Sequence, residues 1–376
     1  MSNLVRFLSE LVALPSINPA FLDGQPSLTG ETRVADFLLS WCASAGLDVE
    51  LQEAAPGRPN LFARLTPARR PSRRLILAPH LDTASVQTEE LLKPVRSGNR
   101  LYGRGACDTK GCVAAMLYAL QAVARSGRRP DETEILFLGL ADEESGQEGS
   151  RAIARSGLKA DLAIVGEPTR LKVVTAHKGD VWLYLDTRGK AAHGARPELG
   201  RNAIHAMSRV VSLLETTYAD RLRDRRHPLL GHPTINVGTI VGGKQPNIVP
   251  DQCRISIDRR MLPGETAAGV EKEIRALLRN AGLSAQFTPM RGGPCVALET
   301  DPNLPWVRSL MGQVRQPSPC GVDYFCDAAV LASGGMPSVV FGPGDIAQAH
   351  TADEWISIPS LERGAAVLER FLRALP

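Results

Sequence analysis

Arg74-Leu75-Ile76-Leu77-Ala78-Pro79-His80-Leu81-Asp82 is the stretch that decides the fold. A short apolar run closed by a proline, then a histidine and a carboxylate, predicts a buried strand that delivers polar groups at its end. Ile135–Leu140 repeats this arrangement, running into Ala141-Asp142-Glu143-Glu144-Ser145-Gly146, and Leu162–Val165 runs into Gly166-Glu167-Pro168-Thr169. Between the first two strands, the alanine-rich segment Gly111–Ala124 predicts a helix whose crossover joins neighbouring strands. The expected fold class is α/β, a layered domain around a central, mostly parallel sheet, with its chemistry where the strands end.

Outward from these strands, Leu4, Phe7, Leu8, Leu11 and Val12 fall at helical spacing within residues 3–14, as do Val34, Phe37, Leu38 and Trp41 within 32–45. From about Gly179 the pattern changes. Val181, Leu183 and Leu185 alternate, a helix is predicted from Asn202 to about Thr217, Ile235/Val237 and Ile255/Ile257 alternate again, and a helix follows at 267–280. After Pro294, helical segments at 305–313 and 327–334, a strand at 338–341 and a helix at 360–375 restore the first pattern. Residues 1–176 and 291–376 are therefore expected to form the α/β domain, interrupted by an inserted α+β domain at 177–290. A chain of 376 residues has the length for two domains.

Composition excludes several classes. Lys plus Arg total 44 against 40 Asp plus Glu, and the charges are scattered, so nucleic acid is not an expected partner. The densest basic group, Arg221, Arg223, Arg225 and Arg226, reads as a solvated helix end or loop. Seven cysteines without a CxxC pair suit reduced thiols and a cytoplasmic location. Arg6 and Glu10 interrupt the N-terminal apolar pattern, against a signal peptide, and no run of 18 apolar residues predicts a membrane span.

Each polar group at a strand end has an ordinary reading when taken alone. His80-x-Asp82 is a turn, although Asp82 could hold the second nitrogen of a metal-bound imidazole. Asp108, in Gly103-Arg104-Gly105-Ala106-Cys107-Asp108-Thr109-Lys110-Gly111, is a helix cap. The run Asp142-Glu143-Glu144 is a surface turn whose like charges repel unless a cation joins them. His350, in Ala349-His350-Thr351-Ala352-Asp353-Glu354, is a solvated loop histidine. Together, His80, Asp108, Glu144, Glu167 and His350 form a nitrogen and oxygen ligand set that suits a pair of zinc-like ions.

The segments HLD, GRGACDTKG, ADEESG, GEPT, GKAAHG and FGPGDIAQAHTADE resemble, in order, the motifs of the M20 family of two-zinc aminoacylases and peptidases. The resemblance spans roughly residues 5–375 and is nearest to the acetylornithine deacetylase branch, through GEPT, Ala176-His177-Lys178-Gly179 and the last motif. It implies that the layered domain is catalytic and that the inserted domain serves as a dimerisation lid. Two Zn2+ are implied, with Co2+ or Mn2+ able to substitute: His80 and Glu167 on one ion, Glu144 and His350 on the other, and Asp108 bridging. The resemblance further implies Glu143 as general acid/base, Asp82 as the residue orienting His80, and a cis peptide at Asp108–Thr109. His193, otherwise a turn histidine, is implied to reach a partner subunit's site in a homodimer and stabilise the oxyanion.

Arg260 and Asn247 match family positions that contact substrate, and Lys178 is a second cationic candidate; each could equally be a solvated strand residue. A guanidinium can hold a carboxylate in two-pronged fashion. The expected reaction is metal-dependent hydrolysis of an N-acyl amino acid, N-acetylornithine to ornithine and acetate, in arginine synthesis. Rivals are a succinyl-diaminopimelate desuccinylase and an M20 carboxypeptidase or dipeptidase. Gly321-Val322-Asp323-Tyr324-Phe325-Cys326-Asp327 departs from the Gly-Gly-Thr-Ser-Asp segment usual in the desuccinylases, which favours acetyl over succinyl. The role of Asp327 is open, and His177 reads as structural. A non-catalytic metal-binding protein is disfavoured by the retained Glu143.

Overall fold

The computed structural model describes residues 2–290, 293 and 295–376, so the expected start of the last segment, Arg291, lies outside the described residues. The chain forms two compact units, Met1–Thr175 with Thr300–Cys320 and Cys326–Pro376, and Ala176–Glu299 with Gly321–Phe325.

In the first unit, strands Thr133–Gly139, Arg73–Pro79, Leu162–Gly166 and Ser338–Val340 lie side by side in that order and run parallel. Every residue of Thr133–Gly139 and of Leu162–Gly166 is buried, as expected for strands covered on both faces. An antiparallel flank of Arg58–Leu65 and Asp48–Ala55 extends the sheet beyond Thr133–Gly139. Helix Lys110–Arg125 follows the Asp108 loop and packs against helix Ile358–Arg373. Both contribute to one apolar core with helices Asn3–Val12 and Thr32–Ser44. The first helix ends at Val12 and not at residue 14, because Pro15 disfavours helical backbone in the residue before it.

The second unit follows the other strand rule. Its antiparallel sheet orders Thr234–Gly242, Gln252–Met261, Gly179–Arg188 and Gln286–Pro289. Along Gln252–Met261 buried residues alternate with more exposed ones, the signature of a sheet with one face on a core. Helices Ala203–Leu213 and Ala267–Asn280 supply that core through Met207, Val210, Ile274 and Leu277. The first of these passes into a wider turn at Leu214–Tyr218 and resumes at Ala219–Arg223. The arginine group there is not wholly solvated, since Arg225 pairs with Glu265 at 2.5 Å and Glu273 at 2.9 Å. No described helix is long and apolar enough to cross a membrane.

Candidate metal centre

Parallel strands place their carboxyl ends along one edge, and the first unit uses that edge. His80 directly follows Arg73–Pro79, Glu143 and Glu144 lie in the turn after Thr133–Gly139, and Glu167 directly follows Leu162–Gly166. Ser338–Val340 leads through Gly342 to the His350 loop. A Cβ on Gly342 would stand 2.6 Å from the Glu167 carbonyl oxygen, so glycine lets this segment lie against the Glu167 turn.

Five side chains converge there as two groups that share Asp108: His80, Asp108 and Glu167, and Asp108, Glu144 and His350. His80 Nε2 lies 3.3 Å from Asp108 Oδ1 and 3.9 Å from Glu167 Oε1. His350 Nε2 lies 3.5 Å from Asp108 Oδ2 and 3.0 Å from Glu144 Oε2. The two Asp108 oxygens therefore face different histidines. The Asp108–Thr109 peptide is cis.

Asp82 ties the turns together. Nδ1 of His80 donates to the Asp82 carbonyl oxygen at 3.0 Å, which leaves Nε2 free of its proton and aimed at the cluster when the ring is neutral. The Asp82 carboxylate accepts from the backbone N–H groups of Glu143 and Glu144, both at 3.1 Å, and from Asn18 Nδ2 at 2.8 Å. Asn18 also donates to Asp142 at 2.9 Å, and Arg58 joins Asp142 to the buried Glu31. Asp142 has φ 69°, a left-handed conformation unusual for a non-glycine residue, at the point where the chain turns to present Glu143 and Glu144.

The electrostatics call for positive charge. Burial pushes Glu143 well above the usual carboxylate range, with the Glu167 charge adding to it. Glu167 is likewise pushed well above that range by burial, and Glu144 is raised by the same cause. Burial opposes protonation of His80, yet Asp108, Asp82 and Glu167 together lift its pKa well above the ordinary imidazole value. In the chain alone, a proton on His80 is the positive charge these groups favour; a cation would take the same electrostatic place. Glu144 Oε1 and Glu167 Oε1 are buried without a hydrogen-bond partner. Orphaned acceptor oxygens beside two imidazoles fit a divalent ion with mixed nitrogen and oxygen ligands.

Glu354 and Arg104, given no role from sequence, stand behind the cluster. Glu354 is 1% exposed, and its carboxylate accepts from three backbone N–H groups in the Asp108 loop and from Arg104. The sequence signal was a buried-type Arg–Glu pair inside two recognised motifs, but the partners are 250 positions apart. Asp327 is also buried; it accepts from Ser150 Oγ at 2.5 Å, has Oδ2 unpartnered, and is lifted by burial to about 7.

The residues expected to meet substrate all fall in the second unit. Lys178 is buried and its Nζ lies 2.7 Å from Asp323. Arg260 lies 2.9 Å from Asp258 and 3.9 Å from Asp180. Asn247 and His193 are exposed, and His193 Nδ1 accepts from the Ala195 N–H at 3.1 Å. His177 is buried against Phe325, its Nδ1 donates to the Lys178 carbonyl at 2.9 Å, and burial lowers its pKa to about 4.

Comparison with known proteins gives a concordant result. The sequence pattern of peptidase family M20/M25/M40 matches residues 76–374. An acetylornithine deacetylase of Myxococcus xanthus is 31% identical over 377 residues, covering 96% of this chain and 95% of its own. An M20 family metallo-carboxypeptidase from Sulfolobus solfataricus has the same fold, with TM-score 0.80 at 20% identity and 99% of each chain covered. A Bacillus subtilis protein described as a dinuclear metal-binding peptidase of the M20 family matches with TM-score 0.70 at 13% identity, covering 98% of this chain and 96% of its own.

Proposed function

We propose that this chain, which belongs to peptidase family M20/M25/M40, is a two-metal amidohydrolase that removes acetate from N-acetylornithine. The family makes it a hydrolase; the substrate is our reading, supported by deacetylase relatives at about 30% identity over nearly the whole chain. The observation that carries the metal reading is the sharing of Asp108, one oxygen toward each histidine.

His80 and Glu167 would hold one cation, Glu144 and His350 the other, and Asp108 would bridge them. Zinc suits this ligand set, with Co2+ or Mn2+ as substitutes. The cations, when bound, supply Lewis acidity toward water and the scissile carbonyl. Glu143 is next in sequence to a ligand but belongs to neither ligand group, so its carboxylate is available to move a proton. It would take the proton from the attacking water and return it to the leaving amine nitrogen. Asp82 would hold His80 in one tautomer and fix the turn that bears Glu143 and Glu144.

Arg260 would hold the substrate carboxylate, with Asn247 and Lys178 contributing to recognition; Arg260 and Lys178 would then exchange an aspartate partner for substrate. His193 would stabilise the oxyanion in the partner site of a homodimer. The edge strand Thr234–Gly242, with Ile240 and Val241 exposed, supports pairing with a second copy. Seven cysteines without a CxxC pair support a reducing, cytoplasmic setting.

Turnover of the metal-reconstituted protein on N-acetyl and N-succinyl amino acids and on dipeptides tests the substrate. Acetate release from N-acetylornithine should have the highest kcat/KM. Faster cleavage of dipeptides would hand the assignment to a carboxypeptidase or dipeptidase, and faster release of succinate to a desuccinylase.

A further inference from the structure

We infer that Glu354 is the positioning residue that sets both halves of the metal centre at once, by fixing the backbone of the Asp108 loop to the loop of His350. Oε1 of Glu354 accepts from the N–H groups of Cys107 at 2.8 Å and Asp108 at 2.9 Å. Oε2 accepts from the Gly105 N–H at 3.0 Å and from Arg104 Nη1 at 2.7 Å. The Glu354 carbonyl oxygen accepts from the Gly103 N–H at 3.0 Å. Arg104 uses its other nitrogens to donate to the carbonyls of Thr351 at 3.2 Å and Ser85 at 3.0 Å. One carboxylate and one guanidinium thus join the residue after His350 to the loop that ends at Asp108.

Three converging N–H donors and a guanidinium saturate a carboxylate, and charge-assisted bonds of this kind are shorter and stronger than neutral ones. Both groups are buried, at 2% for Arg104 and 1% for Glu354, so loss of either leaves an unpaired charge in a site without solvent. Glu354 lies in neither ligand group. Its influence must pass through the backbone of Asp108, and Asp108 belongs to both groups. A defect at Glu354 therefore weakens the two halves together, whereas a defect at Asp82 weakens the His80 half first.

This inference rests on the two-cation reading above, and one titration separates the two. Metal-free wild type and Glu354→Gln, both checked for fold by circular dichroism, are titrated with Zn2+ against a competing chelator, and with Co2+ while its absorption bands are recorded. In the variant an amide N–H2 must face donors at one of the two oxygen positions. Both Zn2+ affinities should fall together, by about 10- to 100-fold as for other supporting contacts to a metal site, with altered Co2+ bands. Folded Glu354→Gln with two wild-type affinities would overturn the inference and leave the metal reading intact. Wild type that binds no Zn2+ would overturn the metal reading itself. Should Glu354→Gln fail to fold, Arg104→Lys decides: it keeps the charge but loses the fork, so the His350 half should weaken, and unchanged binding of both ions would overturn the inference.

Discussion

The two halves of the metal centre share a carboxylate yet are built differently. The His80 side chain is 1% exposed and follows directly on a buried strand; its Nδ1 is held, and Asp82 behind it accepts three further hydrogen bonds. The His350 side chain is 60% exposed, sits on a loop with φ 60°, and among the described residues has no hydrogen bond to Nδ1. A ligand held by packing and hydrogen bonds binds without further loss of freedom; a loop ligand must be ordered as it binds. The difference teaches that equal ligand chemistry need not give equal affinity. The His80 half should fill first and empty last.

Asp108→Asn tests what the halves have in common and should have the largest effect. Losing the shared charge should strip both ions and lower kcat by roughly 10^4-fold, since several kcal/mol of transition-state stabilisation are at stake. Elemental analysis of the dialysed protein checks it, and retention of one ion would show that the halves are independent. Glu143→Gln should come next, with kcat lower by roughly 10^2- to 10^4-fold at wild-type metal content. Metal loss in that variant would move Glu143 from proton transfer to ligation.

His80→Ala and His350→Ala then probe the contrast directly. Chelator titration of wild type should show two steps. His350→Ala should lose the weaker step and retain the tighter one, while His80→Ala should weaken both through the misplaced Asp108 carboxylate. Equal losses in the two variants would erase the proposed asymmetry.

This asymmetry also explains what the sequence could show. The runs at 74–78, 135–140 and 162–165 were legible because a strand covered on both faces must be apolar throughout, and a polar residue at its end stands out. The hairpin Asp48–Ala55 with Arg58–Leu65 was not legible, since its first strand is exposed along Glu50–Glu53 and offers no such run. His80 and Glu167 could be placed at strand ends by pattern. Their convergence with His350, and the Arg104–Glu354 contact behind Asp108, depend on tertiary packing that no local pattern encodes. The five candidate ligands were read from their joint placement beside strands and helices, their division between two ions came from family resemblance, and Glu354 came from structure alone.

Asp82→Asn is the finest test, because it leaves every ligand in place. Asparagine keeps the size of the side chain and the backbone carbonyl that accepts from His80 Nδ1 at 3.0 Å. It removes the charge and replaces one acceptor oxygen with a donor, opposite the N–H of Glu143, the N–H of Glu144 or the amide of Asn18. Each Asp82 oxygen faces a backbone N–H, Oδ1 that of Glu143 and Oδ2 that of Glu144, so the amide N–H2 must face a fixed donor whichever way it turns. Affinity at the tight step should fall by about 10- to 100-fold, bringing the two chelation steps closer together while the weaker step stays near its wild-type position. Movement of the weaker step alone would mean that Asp82 acts through the Glu144 turn and not through His80, and the preorganisation assigned to the buried half would then belong to the turn.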